Sequence, residues 1–161
     1  MRLILCVSLF VVLGCSSTIQ PSKTIKKEEI VFNTISKGTL FGNGIEGILE
    51  EKFTIKNEKQ WQVFLNKINS VNSVNSVSSS FSEININFSN HIIICVFDTV
   101  RNTGGYAIEI EGVFVEKKNL NVVYKKKEPG PMEMVTTIIT QPYHIVKIEK
   151  RGEDHKFINK N

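Results

Sequence analysis

The run His91-Ile92-Ile93-Ile94-Cys95-Val96-Phe97 constrains the fold more than any other stretch of this chain. It is too short for a typical helix, and its unbroken apolar, β-branched character calls for a strand covered on both faces. Around it stand segments that alternate with period two. Ile84-Asn85-Ile86-Asn87-Phe88 precedes it, and Tyr106-Ala107-Ile108-Glu109-Ile110, continuing to Val113-Phe114-Val115, follows. Leu120 to Tyr124, Val135 to Thr140 and Tyr143 to Ile148 continue the series, while Ile30 to Ile35 and Glu51 to Ile55 read as earlier strands. Loops bearing Gly, Pro and Asn separate them. The pattern predicts a mostly β (α+β) domain, an antiparallel β-sandwich or barrel.

One packed amphipathic helix is expected. Asn57 is placed to cap it, with Gln60 in the capping-box position, and Trp61, Phe64, Leu65 and Ile68 share one face. Trp61 and Cys95 are the expected core anchors. Thr39 to Gly47, with Gly42, Gly44 and Gly47, reads as a loop or bulged hairpin, and Asn69 to Ser80 repeats Asn-Ser-Val and reads as a variable loop. The domain is expected over residues 30–150, with 151–161 a polar, frayed tail.

The N-terminus addresses a different question. Met1-Arg2 opens an apolar run from Leu3 to Leu13, closed by Gly14-Cys15. A charged start, a short greasy core and a small residue describe a secretory signal, about half the ~20 residues a spanning helix needs. Val12-Leu13-Gly14-Cys15 resembles a bacterial lipobox. The resemblance implies cleavage between Gly14 and Cys15, acyl chains on Cys15, and an extracytoplasmic domain held to a membrane, the outer one in a cell that has two. Residues 1–14 would be the signal and 15–29, polar and bearing Pro21, a flexible tether. Cys6 would leave with the signal and Cys15 would be lipidated. Only Cys95 would remain as a thiol, so no disulfide within the mature chain is expected.

Enzyme chemistry finds little purchase. His91, His144 and His155 lack metal-ligand spacing, and Cys95 has no paired ligand. Glu109 and Glu111 share a strand face and read as solvated surface. No serine lies in a nucleophile elbow, and no glycine-rich loop precedes a helix. No cofactor, metal or small-molecule substrate is expected. The net charge of +4 is scattered through short lysine clusters, so nucleic acid is not an expected partner.

Three segments carry more than alternation requires: Asn102-Thr103-Gly104-Gly105-Tyr106, Glu128-Pro129-Gly130-Pro131-Met132-Glu133-Met134, and Thr140-Gln141-Pro142-Tyr143-His144. In their order and spacing, from about Val100 to Ile148, they resemble the PrcB C-terminal domain family. That family is named for a lipoprotein subunit of a bacterial surface protease complex. The resemblance implies a small exported domain that binds or stabilises a secreted protease. A looser resemblance is to chagasin-like inhibitors of papain-type proteases, which present three loops at one end of an Ig-like sandwich. Asn102, Thr103, Gly105 and Tyr106 are similar to their first loop, without its proline and with Gly104 for a threonine; Pro129-Gly130-Pro131 and Pro142-Tyr143 would stand for the others. A structural envelope lipoprotein is the third reading. The expected binding surface is Asn102 to Tyr106, Pro129 to Met134 and Gln141 to Tyr143, three loops offering Tyr106, Met132, Met134 and Tyr143 as anchors.

Overall fold

The computed structural model describes residues 27–41, 43–69, 85–152 and 154–161. In chain order its elements are β1 (Glu28–Glu29), β2 (Phe32–Leu40), β3 (Lys52–Ile55), α1 (Glu58–Asn69), β4 (His91–Phe97), β5 (Ala107–Glu116), β6 (Asn119–Lys127), β7 (Gln141–Glu149) and β8 (Asp154–Asn159). The apolar run becomes β4, and its residues from Ile92 to Phe97 are all buried. It lies inside a four-stranded antiparallel sheet of order β2-β7-β4-β3. A second sheet, β1-β5-β6-β8, covers one face of the first, and α1 covers the other. The result is a β-sandwich with a helix laid on its outer side, not a closed barrel.

The alternation along β4 explains why an unbroken apolar run is needed. Ile92, Ile94 and Val96 point into the core between the sheets, with Val146 and Ile148 of β7, Ile108, Ile110 and Val113 of β5, and Leu120 and Val122 of β6. Ile93, Cys95 and Phe97 point the other way, onto Trp61, Phe64, Leu65 and Ile68 of the helix. There Phe97 stacks between Phe53 and Tyr143, with ring centroids 6.0 and 5.8 Å away. Burial alone pushes the Cys95 thiol well above its ordinary pKa, as suits a core residue. The helix starts as its sequence predicts. Asn57 Oδ1 accepts from Gln60 N at 3.0 Å, and Gln60 Oε1 reaches back to Lys56 N at 2.7 Å.

Four expectations are corrected. Residues 151–161 are not a frayed tail: 154–159 form β8, which pairs in parallel with β6 and sets Phe157 against the inter-sheet core. Glu28 and Glu29, assigned to the tether, pair as β1 with β5. The expected strand at Ile84 to Phe88 does not form over its described residues, 85–88, which lead into a turn at 88–90 because Asn87 accepts locally, its carbonyl from Asn90 N and His91 N and its side chain from Ser89 N. Val135 to Thr140 is a loop that, among the described residues, pairs through one bridge, Arg101 to Thr140. The signal with Gly14 and Cys15, most of the tether, and the Asn-Ser-Val repeats lie outside the described residues.

Candidate partner-binding site

β2, β4 and β6 finish where β3, β5 and β7 begin. Leu40 pairs with Gln141, Val96 with Lys52, Phe97 with Tyr143, and Ala107 with Lys127. The connections 41–51, 98–106 and 128–140 therefore leave from one end of the sandwich, called here the loop pole.

Close packing joins the loops to one another. Gly104 donates from its amide to Thr136 O at 2.9 Å, and a Cβ on Gly104 would lie 2.5 Å from Thr136 Oγ1. Gly105 has φ +86°, and its Cβ would meet Val135 and Pro129 at 2.8 and 2.9 Å. The glycine pair expected from the sequence is thus the surface on which the proline loop rests. Thr140 and Arg101 exchange backbone hydrogen bonds of 2.7 and 2.9 Å, and Thr140 Oγ1 donates to Thr103 O at 2.7 Å. On the other side, a Cβ on Gly44 would come within 3.1 Å of Val100, so the 41–51 loop also touches 98–106.

Beneath the loops sits a buried carboxylate. Asp98 follows β4 directly and is 0% exposed. Arg101 donates to its Oδ2 from Nε at 3.1 Å and from Nη2 at 2.9 Å. Lys126, from the end of β6, holds Oδ1 at 2.6 Å in a contact made by charge and proximity rather than by a well-angled hydrogen bond. Lys126 also donates to Glu50 of the first loop at 2.6 Å, and Lys52 to the same oxygen at 3.1 Å. Those two bonds, Lys126 first, pull the Glu50 carboxyl down to about 2. Burial works against the charge on Lys126, but its contacts with Asp98 and Glu50 outweigh it and raise its pKa. One ion network therefore ties 41–51, 98–106 and the end of β6 together. Sequence reasoning missed it, although an aspartate abutting a doubly buried strand is itself a signal that counter-charges must be near.

The expected third loop is not a loop. Gln141, Pro142 and Tyr143 lie within β7 and are buried. Tyr143 is core: its ring stacks on Phe97 and its hydroxyl bonds Ser36 at 2.9 Å. Burial raises the pKa of that hydroxyl. Pro142 sits where an inner strand should donate. Its carbonyl accepts from Asp98 N at 2.9 Å, and the return bond to Asp98 O, which proline cannot make, comes instead from Gln141 Nε2 at 3.0 Å. The same Nε2 donates to Ile48 O at 2.7 Å, adding the 41–51 loop to the tie.

Of the other expected residues, Asn102 is exposed, Thr103 and Gly104 are half-buried, and Tyr106 is half-buried under the Arg101 guanidinium, 4.4 Å from its ring centroid. Pro129 is half-buried; Gly130 and Pro131 are exposed in a turn closed by Glu133 N to Gly130 O at 3.0 Å. Met132 and Met134 are 95% and 98% exposed. The sequence reading had missed the first loop as a contributor: it adds Phe41, Ile45 and Leu49, the last two each 73% exposed.

The stretch from Ile92 to Glu149 thus holds β4 to β7 with two of the three loops and most of the network. Residues 92–149 match the family model for the PrcB C-terminal domain. The PrcB-type segment begins earlier than the motifs alone suggested, inside β4, and ends with β7. No curated protein and no solved structure matches the chain. The β1, β2, β3, α1 and β8 elements that complete the sandwich lie outside the PrcB-type segment. Among the described residues no group of three or more His, Cys, Asp or Glu side chains is arranged to hold a metal ion.

His144, read from the sequence only as lacking metal-ligand spacing, lies between the sheets. Ile110 N donates to its Nδ1 at 2.9 Å, so the proton is on Nε2, which donates to Thr34 Oγ1 at 2.9 Å. Register shifts at Ile110/Gly112 and Thr34/Ser36 place both partners. Burial first, and the Lys37 charge second, push its pKa down to about 4. It is a neutral strut between sheets.

Proposed function

We propose that the chain is an exported, lipid-anchored protein-binding module that uses its loop pole to hold a secreted protease as an accessory subunit. The observation that carries this reading is a set of apolar side chains, Phe41, Ile45, Leu49, Met132 and Met134, left in solvent on loops whose bases are fixed by buried ions and glycine contacts. Soluble monomers seldom spend that much order on presenting apolar groups to water unless a partner covers them. The PrcB-type match supports the protease as the class of partner. β1 pairs Glu28 with Val115 at the end of β5, and β2 then runs toward the loops, so the described chain enters at the pole opposite them and leaves the loops clear of its N-terminal side.

The test is a Met132→Glu/Met134→Glu variant, since both side chains are nearly fully exposed and their loss leaves the core untouched. Its unfolding free energy should move by no more than about 0.5 kcal/mol. Co-purification with the cell's secreted proteases should fall by about tenfold or more, as expected of two lost anchors. A folded double variant that retains a protease as the parent does would defeat the reading. Cys15→Ser should separately release the protein from membranes. The chagasin-like reading has less support, because Tyr143 is unavailable as a third-loop wedge; slowing of a papain-type enzyme by the purified domain would revive it.

A further inference from the structure

The sulfur atoms of the described residues are sorted sharply by exposure. Cys95, in the middle of β4, is 0% exposed, and burial pushes its thiol well above the ordinary pKa. Met132 and Met134, the two methionines among the described residues, are almost wholly in solvent. The readily oxidised rings are sheltered too. Trp61, Tyr124 and Tyr143 are buried in the two cores, and Tyr106 is half-buried under the Arg101 guanidinium. An oxidant that leaves the fold intact therefore meets two thioethers first.

The turn that carries them can take added oxygen without disturbing its base. Its feet are Pro129 and Val135, the residues that a Cβ on Gly105 would strike. Its tip is closed twice by Glu133, whose amide donates to Gly130 O and whose carboxylate accepts from Gly130 N, each at 3.0 Å. Glu133 is folded back onto its own turn, while the methionines on either side of it stand clear. Neither thioether holds the loop in place.

We propose that Met132 and Met134 form a reversible sulfoxidation site, which turns the loop pole from apolar to polar and releases its partner. The oxidant is a peroxide. A thioether lone pair attacks one peroxide oxygen, the O–O bond breaks, and the second oxygen leaves as water. Each sulfur gives two electrons to the peroxide; reduction returns the oxygen as water while two thiols become a disulfide. A sulfoxide is strongly polar, so covering it with a partner's apolar surface forfeits what burying the thioether gained. Release of a protease rests on the loop-pole reading above; the change of surface does not.

The test treats the full chain with hydrogen peroxide, removes the excess with catalase, and compares it with untreated protein. The tryptic peptide 128–147 should gain two oxygen atoms as fast as free methionine gains one. Cys95 should stay unmodified, and the thermal midpoint should move by less than about 2 °C. The oxidised protein should leave a butyl column earlier, and its capture of the cell's secreted proteases should fall about tenfold or more. Methionine sulfoxide reductases with a dithiol should restore both. Met132→Leu/Met134→Leu keeps the apolar surface without the sulfur, and should capture protease as the parent does before and after peroxide. Oxygen arriving first elsewhere among the described residues, unchanged retention on butyl, or an oxidised, folded parent that holds protease as before would overturn the proposal. So would a leucine variant that loses protease on peroxide treatment. An untreated parent that captures no protease would defeat the protease reading alone, and the mass and butyl results would still decide the site.

Discussion

The two poles of the sandwich are built differently. At the loop pole, long connections are locked from beneath by a fully buried aspartate, two cations and a glycine pair, and their apolar side chains face outward. At the opposite pole the described turns are held from outside, and the 70–90 connection that arrives there lies mostly outside the described residues. Lys117 and Lys118 form a two-residue turn between β5 and β6, Lys150 Nζ donates to Phe88 O at 3.1 Å, and Arg151 pairs with Glu28 at 2.9 Å on the surface. Charge is buried at one end and solvated at the other. A buried ion cluster is a costly way to gain stability but an effective way to fix a geometry, which is what a preformed binding surface requires. The far pole closes the β5–β6 hairpin and receives the chain at β1.

The largest expected effect follows from removing the centre of the network. Asp98→Ala leaves Arg101 and Lys126 facing a low-dielectric site without their counter-charge, and should cost about 3–5 kcal/mol in urea unfolding. The matching surface change at the far pole, Arg151→Ala, should cost at most about 1 kcal/mol. Equal costs would erase the contrast between the poles. Gly105→Ala comes next. It combines a left-handed backbone with a Cβ pressed on Val135 and Pro129, and should cost about 2–3 kcal/mol, while Gly112→Ala, whose Cβ would meet nothing within 4 Å, should cost far less.

The same contrast explains what could be read in the sequence. The doubly buried β4 and the capped helix were legible because each is set by a local pattern, an unbroken apolar run and a stripe behind Asn57. The glycine and proline loops were legible as breaks. β8 was not, because Asp154-His155-Lys156-Phe157-Ile158-Asn159 shows no period-two alternation and becomes a strand only when β6 offers its edge. Pro142 and Tyr143 were misplaced for a related reason. Proline ordinarily ends an inner strand, and nothing local shows that the Gln141 side chain will supply the missing bond. The ion network joins Glu50, Asp98, Arg101 and Lys126 across 76 positions of sequence from Glu50 to Lys126, so no window along the chain contains it. Exposure was the other gap: Phe41, Ile45 and Leu49 look like core residues until the loop that holds them is placed.

Between the poles, His144 provides a test that should respect neither. Its folded pKa of about 4 lies below the ordinary 6.5, so the unfolded chain takes up a proton first as pH falls. The His144 contribution is therefore complete above pH 6.5 and is lost on descending toward pH 4, by roughly 2 kcal/mol. Protonation of Nδ1 would also break the bond from Ile110 N. Urea midpoints measured across that window should fall with acid, and His144→Gln should flatten the slope. A slope unchanged in the variant would assign the acid sensitivity to other groups.

The smallest expected effect is the sharpest check on the division of labour. Lys117 and Lys118 have φ of 49° and 68°, the left-handed pair that a tight hairpin requires and that lysine adopts at a cost. Asn-Gly is suited to those angles, so Lys117→Asn/Lys118→Gly should stabilise the fold by about 1 kcal/mol and raise the thermal midpoint by a few degrees. The turn lies at the pole where the chain enters, at the far end of β5 from the loops. Partner binding by the stabilised variant should therefore match the parent. If relaxing this turn alters binding, the far pole is more than a closure, and the partner surface extends around the molecule rather than sitting on its loops.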